Sequence, residues 1–558
     1  MAIYYCDYKN GLDTNDGATG TPWKTIGKAL TTIAASDTVY LRGDAADNAT
    51  WYRQASAVTC VDAGATMVPD TGHTPVFVGT NEYTSWAPTD GTTNVYETAF
   101  VSGTCWRVWN GTTKLASAAS VAACDAAENS YYFDDAGNLL HVNIGGAPTS
   151  IEVYDHANVF PLSLNASGVT LEGLDFRYHF QAVRLLQGNC TVSNCTFSLW
   201  GGFSVAADFG LLSITGDGNT ITRCSFADPL HIMQAISLVT GAANATISDC
   251  TITGCHHMIV AAAGTGHVVT RCALDGQTNT THLGISVTGA ASCAVRMCTI
   301  QNASVCTHSS STGAIEVTDC FISNPAAPSA INWGAALGGP FTVSRCTFSN
   351  CSEDAVIATA SGTISDCVAV DCGHSGFWAG TTAGITVNMI RCLVYVTYDI
   401  QDSSTGYLYG FVVDPGDMTV NFYHCVVAHL SRSLDARYAF YVQNDGTITF
   451  RNCIVLDSAT ALEVNAAVYS PTIVSDHMCL YGNATNYGNG FAAGIGDLLV
   501  EPAFINDSVT GGDYRLRHTS PCINAGVLIA GINEGHRGSA PDIGAFEYVM
   551  PLVHRRRR

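Results

Sequence analysis

The chain has 558 residues, of which 47% are hydrophobic and only 13% are charged, and 54 are glycine. This balance of small, β-branched and turn-forming residues predicts β structure rather than helix. The net charge of −22 argues against a nucleic-acid partner, which would need a basic surface. No apolar run reaches the roughly 18 residues of a membrane span, so no membrane span is predicted.

Residues 1–49 predict an N-terminal cap and a first turn of β structure. The first residues lack a basic region followed by an apolar core, so we predict no secretory signal. Residues 11–17 are rich in Gly, Asp and Asn, which favours a loop. The stretch TPWKTIGKALTTI then has helical spacing, with Thr21 as the predicted N-cap and Pro22 in the first turn. The following DTVYLRG predicts a strand.

Residues 50–157 predict a β-rich insertion. Apolar and polar residues alternate through NVYETAF and YYFDDAGNLLHVNI, with Gly and Asn at the turns between them. This pattern is typical of short antiparallel strands, and we expect a small subdomain beside the first turns of the repeat.

Residues 158–480 repeat one short pattern around a cysteine. In each repeat one apolar residue stands three positions before the cysteine, and another stands two positions after it. The repeats are 21 to 33 residues apart and show no helical pattern, so each predicts one turn, or rung, of a parallel β-helix with three short strands. The eleven key cysteines are Cys195, Cys224, Cys250, Cys272, Cys298, Cys320, Cys346, Cys367, Cys392, Cys425 and Cys453.

Most of the 23 cysteines are predicted to be buried free thiols. Stacked rungs lie about 4.8 Å apart, so the key cysteines would form a ladder that fills a narrow core. A ladder of free thiols implies folding in a reducing cytoplasm. Paired cysteines at zinc-site spacing are absent, and no metal or other cofactor is predicted.

The residues immediately before the key cysteines should stack into a ladder of charges. Over most of its length this column alternates basic and acidic residues, which we interpret as a structural device that fixes the register. The functional alternative is that Arg345 or Arg391 serves as the base of a lyase. The column contains Asn194, Arg223, Asp249, Arg271, Met297, Asp319, Arg345, Asp366, Arg391, His424 and Asn452.

A second column, seven residues after each key cysteine, holds the candidate catalytic residues Glu353, His374 and Asp399. A carboxylate beside an imidazole suits general acid–base chemistry, and two carboxylates about 10 Å apart along the backbone suit glycoside hydrolysis. Arg432, Asp354 and Trp378 are the candidate substrate-binding residues here. The alternative is a polar turn column with no chemical role.

His231 and His257 form a further candidate substrate-binding pair, accompanied by His256. Two histidines in one column could hold a sugar or a metal ion, but surface histidines without such a role are the commoner case. We therefore treat them as substrate-binding candidates only.

Residues 481–558 predict a C-terminal closing segment followed by the basic tail Arg555–Arg558. This segment contains DYRL, SPCINAG and DIGAFEY. These motifs, with the Gly11–Gly17 loop and the stretch Pro22–Leu41, resemble those of right-handed parallel β-helix proteins of the pectate-lyase-like superfamily, in bacterial and phage forms that include tailspikes. The resemblance implies an all-β, right-handed parallel β-helix solenoid with an N-terminal helical cap and a small antiparallel insertion.

The resemblance implies little about function, because this scaffold hosts lyases, hydrolases, epimerases and noncatalytic adhesins. Our first hypothesis is a phage virion protein, tailspike-like or a capsid-attached spike, that folds in the host cytoplasm and binds host surface polysaccharide, with cleavage left open. Its partners would be a glycan and other virion proteins, and a homotrimer is the usual tailspike state. The alternatives are a secreted bacterial polysaccharide lyase or glycoside hydrolase, and a noncatalytic structural or decoration protein.

Overall fold

The computed structural model describes residues 1–53, 58–100, 105–155, 162–179, 181–198, 210–227, 234–255, 257–277, 283–307, 312–323, 335–380, 382–397, 407–430, 436–508 and 512–549. The chain divides into two compact units, Met1–His267 and Val268–Arg558. Each unit is built from the same three parallel sheets, here called A, B and C in the order in which a rung visits them. Strands are numbered in chain order.

Sheet A holds the strand that precedes the key cysteine in each rung, and β29 (His267–Thr270) of this sheet contains the last residue of the first unit. Its other strands in the first unit are β1 (Ile3–Asp7), β2 (Thr38–Arg42), β5 (Thr66–Pro69), β17 (Thr170–Glu172), β20 (Thr191–Ser193), β23 (Thr220–Thr222) and β26 (Thr246–Ser248). In the second unit they are β32 (Cys293–Arg296), β35 (Ile315–Thr318), β38 (Phe341–Ser344), β41 (Gly362–Ser365), β44 (Thr386–Ile390), β47 (Thr419–Tyr423), β50 (Thr447–Arg451) and β53 (Thr472–Asp476).

Sheet B holds the short strand that follows each key cysteine. In the first unit its strands are β3 (Tyr52–Arg53), β6 (Val76–Val78), β18 (Asp175–Arg177), β21 (Thr196–Ser198), β24 (Ser225–Ala227) and β27 (Thr251–Thr253). In the second unit they are β30 (Ala273–Asp275), β33 (Thr299–Gln301), β36 (Phe321–Ser323), β39 (Thr347–Ser349), β42 (Val368–Val370), β45 (Leu393–Tyr395), β48 (Val426–Ala428), β51 (Ile454–Leu456) and β54 (Cys479–Tyr481).

Sheet C completes the rung. In the first unit its strands are β4 (Val58–Cys60), β16 (Leu162–Leu164), β19 (Val183–Leu185), β22 (Gly210–Ile214), β25 (Gln234–Leu238) and β28 (His257–Ala261). In the second unit they are β31 (Leu283–Val287), β34 (Ser304–Thr307), β37 (Ala335–Leu337), β40 (Asp354–Ala358), β43 (Ser375–Ala379), β46 (Tyr407–Val413), β49 (Ala436–Val442), β52 (Thr460–Val464) and β55 (Thr485–Tyr487). The predicted all-β parallel β-helix is confirmed.

The predicted repeat register is also confirmed, because it coincides with the core. All eleven key cysteines and the apolar residues three before and two after them are at most 4% exposed. The strand register stacks like on like, as where Val192 pairs with Ile221 and Phe197 with Phe226. The rings of Phe197 and Phe226 stack with their centroids 4.6 Å apart.

The corner between sheets A and B is made by a single residue in the left-handed conformation. All eleven residues that precede the key cysteines have φ between 52° and 58°. Asn and Asp tolerate this conformation, but for Arg and Met it costs free energy. The predicted ladder offsets part of that cost in the second unit, where Arg345 pairs with Asp319 at 2.7 Å and Arg391 with Asp366 at 2.6 Å.

The cysteine ladder is present as free thiols in both units. Among the side chains that the structure describes, 22 cysteines are free thiols, and all of them are buried except the half-buried Cys105. Burial raises the pKa of the Cys293 thiol to about 12, and that of Cys392 rises well above its usual value for the same reason, reinforced by the neighbouring Cys425. These thiols are therefore packed as neutral, small hydrophobic groups.

The N-terminal helix is shorter and begins later than the sequence predicts. It spans α1 (Ile26–Leu30), and its N-cap is Thr25, whose side chain accepts from the Lys28 N–H. Thr21 instead forms an isolated bridge with Ala18, so Thr21 as N-cap was wrong. The physical reason is Asp13, whose carboxylate accepts from the backbone N–H groups of residues 24 and 25 and so holds this stretch extended.

The antiparallel insertion spans Asn81–Asp155 within the first unit. Strands β4 to β6 pair in the parallel sheets, so the insertion begins about thirty residues after the predicted boundary at residue 50. One of its two sheets contains β7 (Asn81–Tyr83), β10 (Cys105–Asn110), β11 (Thr113–Lys114) and β15 (Ile151–Asp155). The other contains β8 (Ala87–Pro88), β9 (Val95–Ala99), β12 (Ala116–Ser117), β13 (Ser130–Asp134) and β14 (Leu139–Asn143). The remaining short elements of the first unit are the 3-10 helix η1 (Asn48–Thr50) and the helix α2 (Val121–Asp125).

The C-terminal segment packs along the outer face of sheet B in the second unit. It contains the antiparallel pair β56 (Phe504–Asn506) and β57 (Asp513–Leu516). Phe504, Tyr514 and Leu516 form one apolar cluster with Leu393, Val426 and Ile454, the residues that directly follow three key cysteines. Among the described residues no helix is long and apolar enough to cross a membrane. The basic tail lies outside the described residues.

Candidate active site

His374 and Asp354 form a hydrogen-bonded pair at the start of two neighbouring strands of sheet C. The register pairs Asp354 of β40 with Ser375 of β43, which brings residue 374 beside the Asp354 carboxylate. His374 Nδ1 lies 2.8 Å from Asp354 Oδ1. Because a carboxylate only accepts, His374 donates through Nδ1, and its Nε2 is left for another partner.

The surroundings of this pair favour a protonated imidazole. Burial opposes the charge on His374, but the hydrogen bond and the charge of Asp354, together with the charges of Glu353 and Asp414, outweigh burial and raise its pKa. Asp354 is 1% exposed; its Oδ1 also accepts from the Ser375 hydroxyl, and its Oδ2 has no hydrogen-bond partner. The His374 side chain keeps 18% of its surface exposed and can therefore meet a ligand.

Asp414 supplies a second titratable carboxyl beside His374. It directly follows β46, and its backbone N–H donates to the Ala379 carbonyl at 2.9 Å. Burial raises the pKa of Asp414 to about 6, although Trp378 and His374 both favour its ionised form. The indole N–H of Trp378 lies outside strict hydrogen-bond geometry but close enough to the carboxyl to stabilise its negative charge.

Aromatic rings surround the pair. The ring centroid of His374 lies 6.0 Å from that of Trp378 and 5.3 Å from that of Tyr409, both edge to face. Tyr409 in turn stacks on Tyr438 and Tyr441. Trp378, Tyr438 and Tyr441 are half-buried, so parts of their rings face solvent. Aromatic faces with a few convergent polar groups are typical of a small-molecule or sugar site.

The structure describes only some of the candidate residues that the sequence predicts in this region. Glu353 lies next to His374, whose backbone N–H donates to the Glu353 carbonyl at 2.9 Å. Asp399 and Arg432 lie outside the described residues. The register aligns Leu408 and Arg437 with His374, since Ser375 pairs with Tyr409 and Leu408 with Arg437.

Sequence reasoning missed Asp414 and the tyrosines because it counted a fixed number of residues from each key cysteine. The rungs that begin at Cys392 and Cys425 are longer than the one that begins at Cys346, so a fixed count stops short of sheet C there. The signal that could have found them is the similarity of SGFWAG, YGFVVD and YAFYVQ, which align Trp378 with Val412 and Tyr441.

The histidine candidates of the first unit do not form a described pair. His257 is the half-buried first residue of β28 and pairs in register with Gln234. His231 and His256 lie outside the described residues. No group of three or more His, Cys, Asp or Glu suited to a metal ion occurs among the residues that the structure describes.

A concave surface lies beside the C-terminal segment. It has a volume of about 220 Å³ and is lined by Arg391, His424, Asn533, His536 and Glu547 among others. His424 is 4% exposed, and burial lowers its pKa to about 4. Its ring nitrogens contact the Gly544 carbonyl and the side chains of Asn452 and Asn533. This neutral, buried histidine anchors the segment, and both of its ring nitrogens are already engaged, so the His374 pair is the better catalytic candidate.

The sequence was compared with protein-family models and with curated protein sequences. The model of the right-handed β-helix region matches residues 162–336 and 263–409. This match agrees with the fold described above, a β-helix built from three parallel sheets. A search of curated protein sequences finds no significant match.

Solved structures similar to this β-helix protein share little sequence with it. A complex of XylC with xylose is 11% identical with a TM-score of 0.40, over 90% of this chain and 86% of that one. The GH136 lacto-N-biosidase from Eubacterium ramulus is 9% identical with a TM-score of 0.35, over 75% of this chain and 68% of that one. The pectate lyase Pel9A is 14% identical with a TM-score of 0.29, over 98% of this chain and 96% of that one.

Proposed function

We propose that this protein binds a polysaccharide across sheet C of its second unit and cleaves it at His374 and Asp414. The single observation that carries the proposal is the His374–Asp354 hydrogen bond of 2.8 Å, beside the half-buried Trp378 and a second carboxyl, Asp414. A purely structural column would not need a polarised imidazole next to a desolvated carboxyl and open aromatic rings.

The charges assign the two proton-transfer roles. Between pH about 6, where Asp414 loses its proton, and the raised pKa of His374, the carboxyl is ionised while the imidazole is charged. Asp414 then acts as the general base, and His374 donates the proton of Nε2 to the departing sugar oxygen. Asp354 holds the imidazole in place and stabilises its positive charge. Each proton transfer contributes about 10²- to 10⁴-fold to the rate.

The same two roles serve hydrolysis and elimination. In hydrolysis the base activates water, and in elimination it removes a proton next to a uronate carboxyl group. The products differ, because elimination leaves a carbon–carbon double bond that absorbs ultraviolet light and hydrolysis does not. The proposal therefore covers a polysaccharide lyase or a glycoside hydrolase.

The decisive experiment is incubation of the purified protein with a panel of neutral and acidic polysaccharides. New reducing ends report cleavage of either kind, and ultraviolet absorbance reports elimination. We expect activity on at least one polymer and a loss of about 10²- to 10⁴-fold in His374→Ala and in Asp414→Asn. The matched control is His536→Ala. This variant removes a half-buried histidine from the concave surface beside the C-terminal segment and should keep full activity.

Two outcomes would overturn parts of this proposal. Full activity in His374→Ala would remove the site assignment. Binding without cleavage of any polymer would leave the noncatalytic alternative, a glycan-binding structural protein, in its place.

The setting of this function stays a prediction. A phage particle remains our proposal, with a host surface glycan and other virion proteins as partners and a homotrimer as the assembled state, and release from a bacterium is the alternative. Immunogold labelling of phage particles tests the first setting, and measuring the protein in culture medium tests the second. Sedimentation of the purified protein tests the trimer.

A further inference from the structure

We propose that the His374 site selects glycan segments that carry no carboxylate or sulfate groups at the sugars it contacts. This inference rests on the proposed function and adds the chemical class of the substrate. Its basis is the sign of the charge that the protein gathers around the reacting groups.

Three carboxylates act on the charge of one imidazole. Asp354 contacts His374 directly, and Glu353 and Asp414 are close enough to raise its pKa as well. Even with His374 protonated, the cluster keeps a net negative charge when all three carboxyls are ionised. The low exposure of Asp354 and the raised pKa of Asp414 both indicate poor screening by water.

None of the described arginines places an exposed guanidinium beside His374. Arg437, two rungs from His374 in register, is 1% exposed and so presents no guanidinium to a ligand. Arg345 and Arg391 lie at the corner between sheets A and B and are paired with Asp319 and Asp366. The whole chain has 46 acidic residues against 24 lysines and arginines, so the long-range field is negative as well.

A uronate or sulfate group at this position would meet like charges in a poorly solvated site. Elimination would be disfavoured further, because the charge that builds up on a uronate during proton abstraction needs a cation or strong donors close by. A neutral sugar meets neither penalty, and its flat apolar face suits the rings of Trp378 and Tyr441.

Hydrolysis is therefore the reaction that this site favours. The bond between the anomeric carbon and the bridging oxygen breaks, and that oxygen takes the proton from His374 Nε2. Water forms the new bond to the anomeric carbon and gives one proton to Asp414. After the reaction His374 has lost one proton and Asp414 has gained one. Proton exchange with solvent restores both groups, and no other reactant is needed.

The test uses pairs of polymers that share a backbone and differ chiefly in charge. Polygalacturonate is paired with its fully methyl-esterified form, carboxymethylcellulose with hydroxyethylcellulose, and glucuronoxylan with the same xylan after its carboxyl groups are reduced. Binding is measured by affinity electrophoresis and cleavage by new reducing ends. For every pair in which the protein binds either polymer, we expect its affinity for the neutral member to be at least tenfold higher at low salt.

Salt and a charge variant give a second readout. Raising the salt from 0.02 M to 0.3 M shortens the screening length, so binding of the charged member should improve while that of the neutral member stays constant. Glu353→Gln should lower the ratio of the affinities for the neutral and the charged polymer severalfold. Glu501→Gln, which neutralises an exposed carboxylate in the C-terminal segment, is the matched control and should leave this affinity ratio unchanged.

The outcomes separate this inference from the function on which it rests. Equal or tighter binding of a charged member, or production of unsaturated ends from it, overturns the inference and leaves the proposed function intact. Failure to bind or cleave any member of any pair overturns both.

Discussion

His374 and Asp414 each stabilise the charged form of the other: the imidazolium favours the carboxylate, and the carboxylate favours the imidazolium. His374 lowers the pKa of Asp414 while burial raises it to about 6, and Asp414 helps to raise the pKa of His374. Charge coupling of this kind places base and acid in usable protonation states near neutral pH.

The pH dependence of cleavage follows from these two groups. Activity should rise as the pH increases through about 6, because Asp414 must lose its proton to act as the base. Activity should fall again at higher pH, as the pH passes the raised pKa of His374 and the acid is lost. In Asp414→Asn the residual activity should lose the acidic limb of this bell-shaped profile and keep the alkaline limb.

The measurement is kcat/KM across pH 4 to 9 on a cleaved polymer, with a thermal melt at each pH to exclude unfolding. An acidic limb that persists unchanged in Asp414→Asn would show that another group serves as the base.

Met297 occupies a left-handed corner that does not suit it. It has φ 53° and is 52% exposed, while the corresponding corners of the other rungs carry Asn, Asp, His or Arg. We expect Met297→Asn to stabilise the protein by about 0.5–1 kcal/mol, because Asn adopts this conformation at lower cost. Met297→Ala is the control, since its Cβ meets the same backbone constraint.

The measurement for Met297→Asn is the denaturant midpoint of unfolding. An equal gain in Met297→Ala would mean that removing an exposed apolar side chain, rather than relieving the corner, is responsible.

The strands of sheet B change character where the C-terminal segment covers them. The residue that follows the key cysteine is Thr196, Thr251 or Thr299 in earlier rungs but Leu393, Val426 or Ile454 in later ones. The later residues are buried against Phe504, Tyr514 and Leu516. Apolar residues at outward-facing positions of a strand therefore indicate where another segment packs against the sheet.

Ile454 is the strongest test of this docking. It is fully buried, and Ile454→Ala should lower the free energy of unfolding by roughly 2–4 kcal/mol through lost burial and a cavity. Thr299→Ala changes the same register position where it is exposed, and should have an effect below about 0.5 kcal/mol. Limited proteolysis should cleave residues 501–549 faster in Ile454→Ala only, and equal protection in both variants would contradict the docking.

Each unit contains stacked free cysteines, and their oxidation state depends on the redox conditions of the medium. Parallel strands keep neighbouring Cβ atoms about 4.8 Å apart, slightly farther than the roughly 3.5–4.5 Å of a disulfide. The thiols are therefore stable as thiols while the fold is intact, and an unfolded chain in an oxidising medium would scramble them.

The number of reactive thiols should change sharply on unfolding. In the native protein we expect a thiol reagent to modify at most one or two groups, with Cys105 first because it is half-buried. After unfolding in denaturant without reductant, the count should reach 23 per chain. Mass spectrometry of alkylated peptides identifies the sites, and a count well below 23 after unfolding would reveal disulfides.

The sequence alone determined the core of this protein. A β-helix repeats its inward positions at every rung, so a pattern of three apolar residues around Cys367 or Cys425 is enough to set the strands, their register and the inward faces. The charges at Arg345, Asp366 and Arg391 followed from the same count, because they lie one residue from an inward cysteine.

The tertiary structure decided what lies farther from the cysteines. Rungs differ in length, so counting forward seven residues reaches His374 beside Glu353 but fails to reach Tyr409, and only the hydrogen-bonded register places Asp414 at the site. The start of α1 at Ile26 depended on the Asp13 carboxylate, a contact across a loop. Repetition encodes positions fixed by the backbone, whereas a site assembled from loops of different length requires the folded chain.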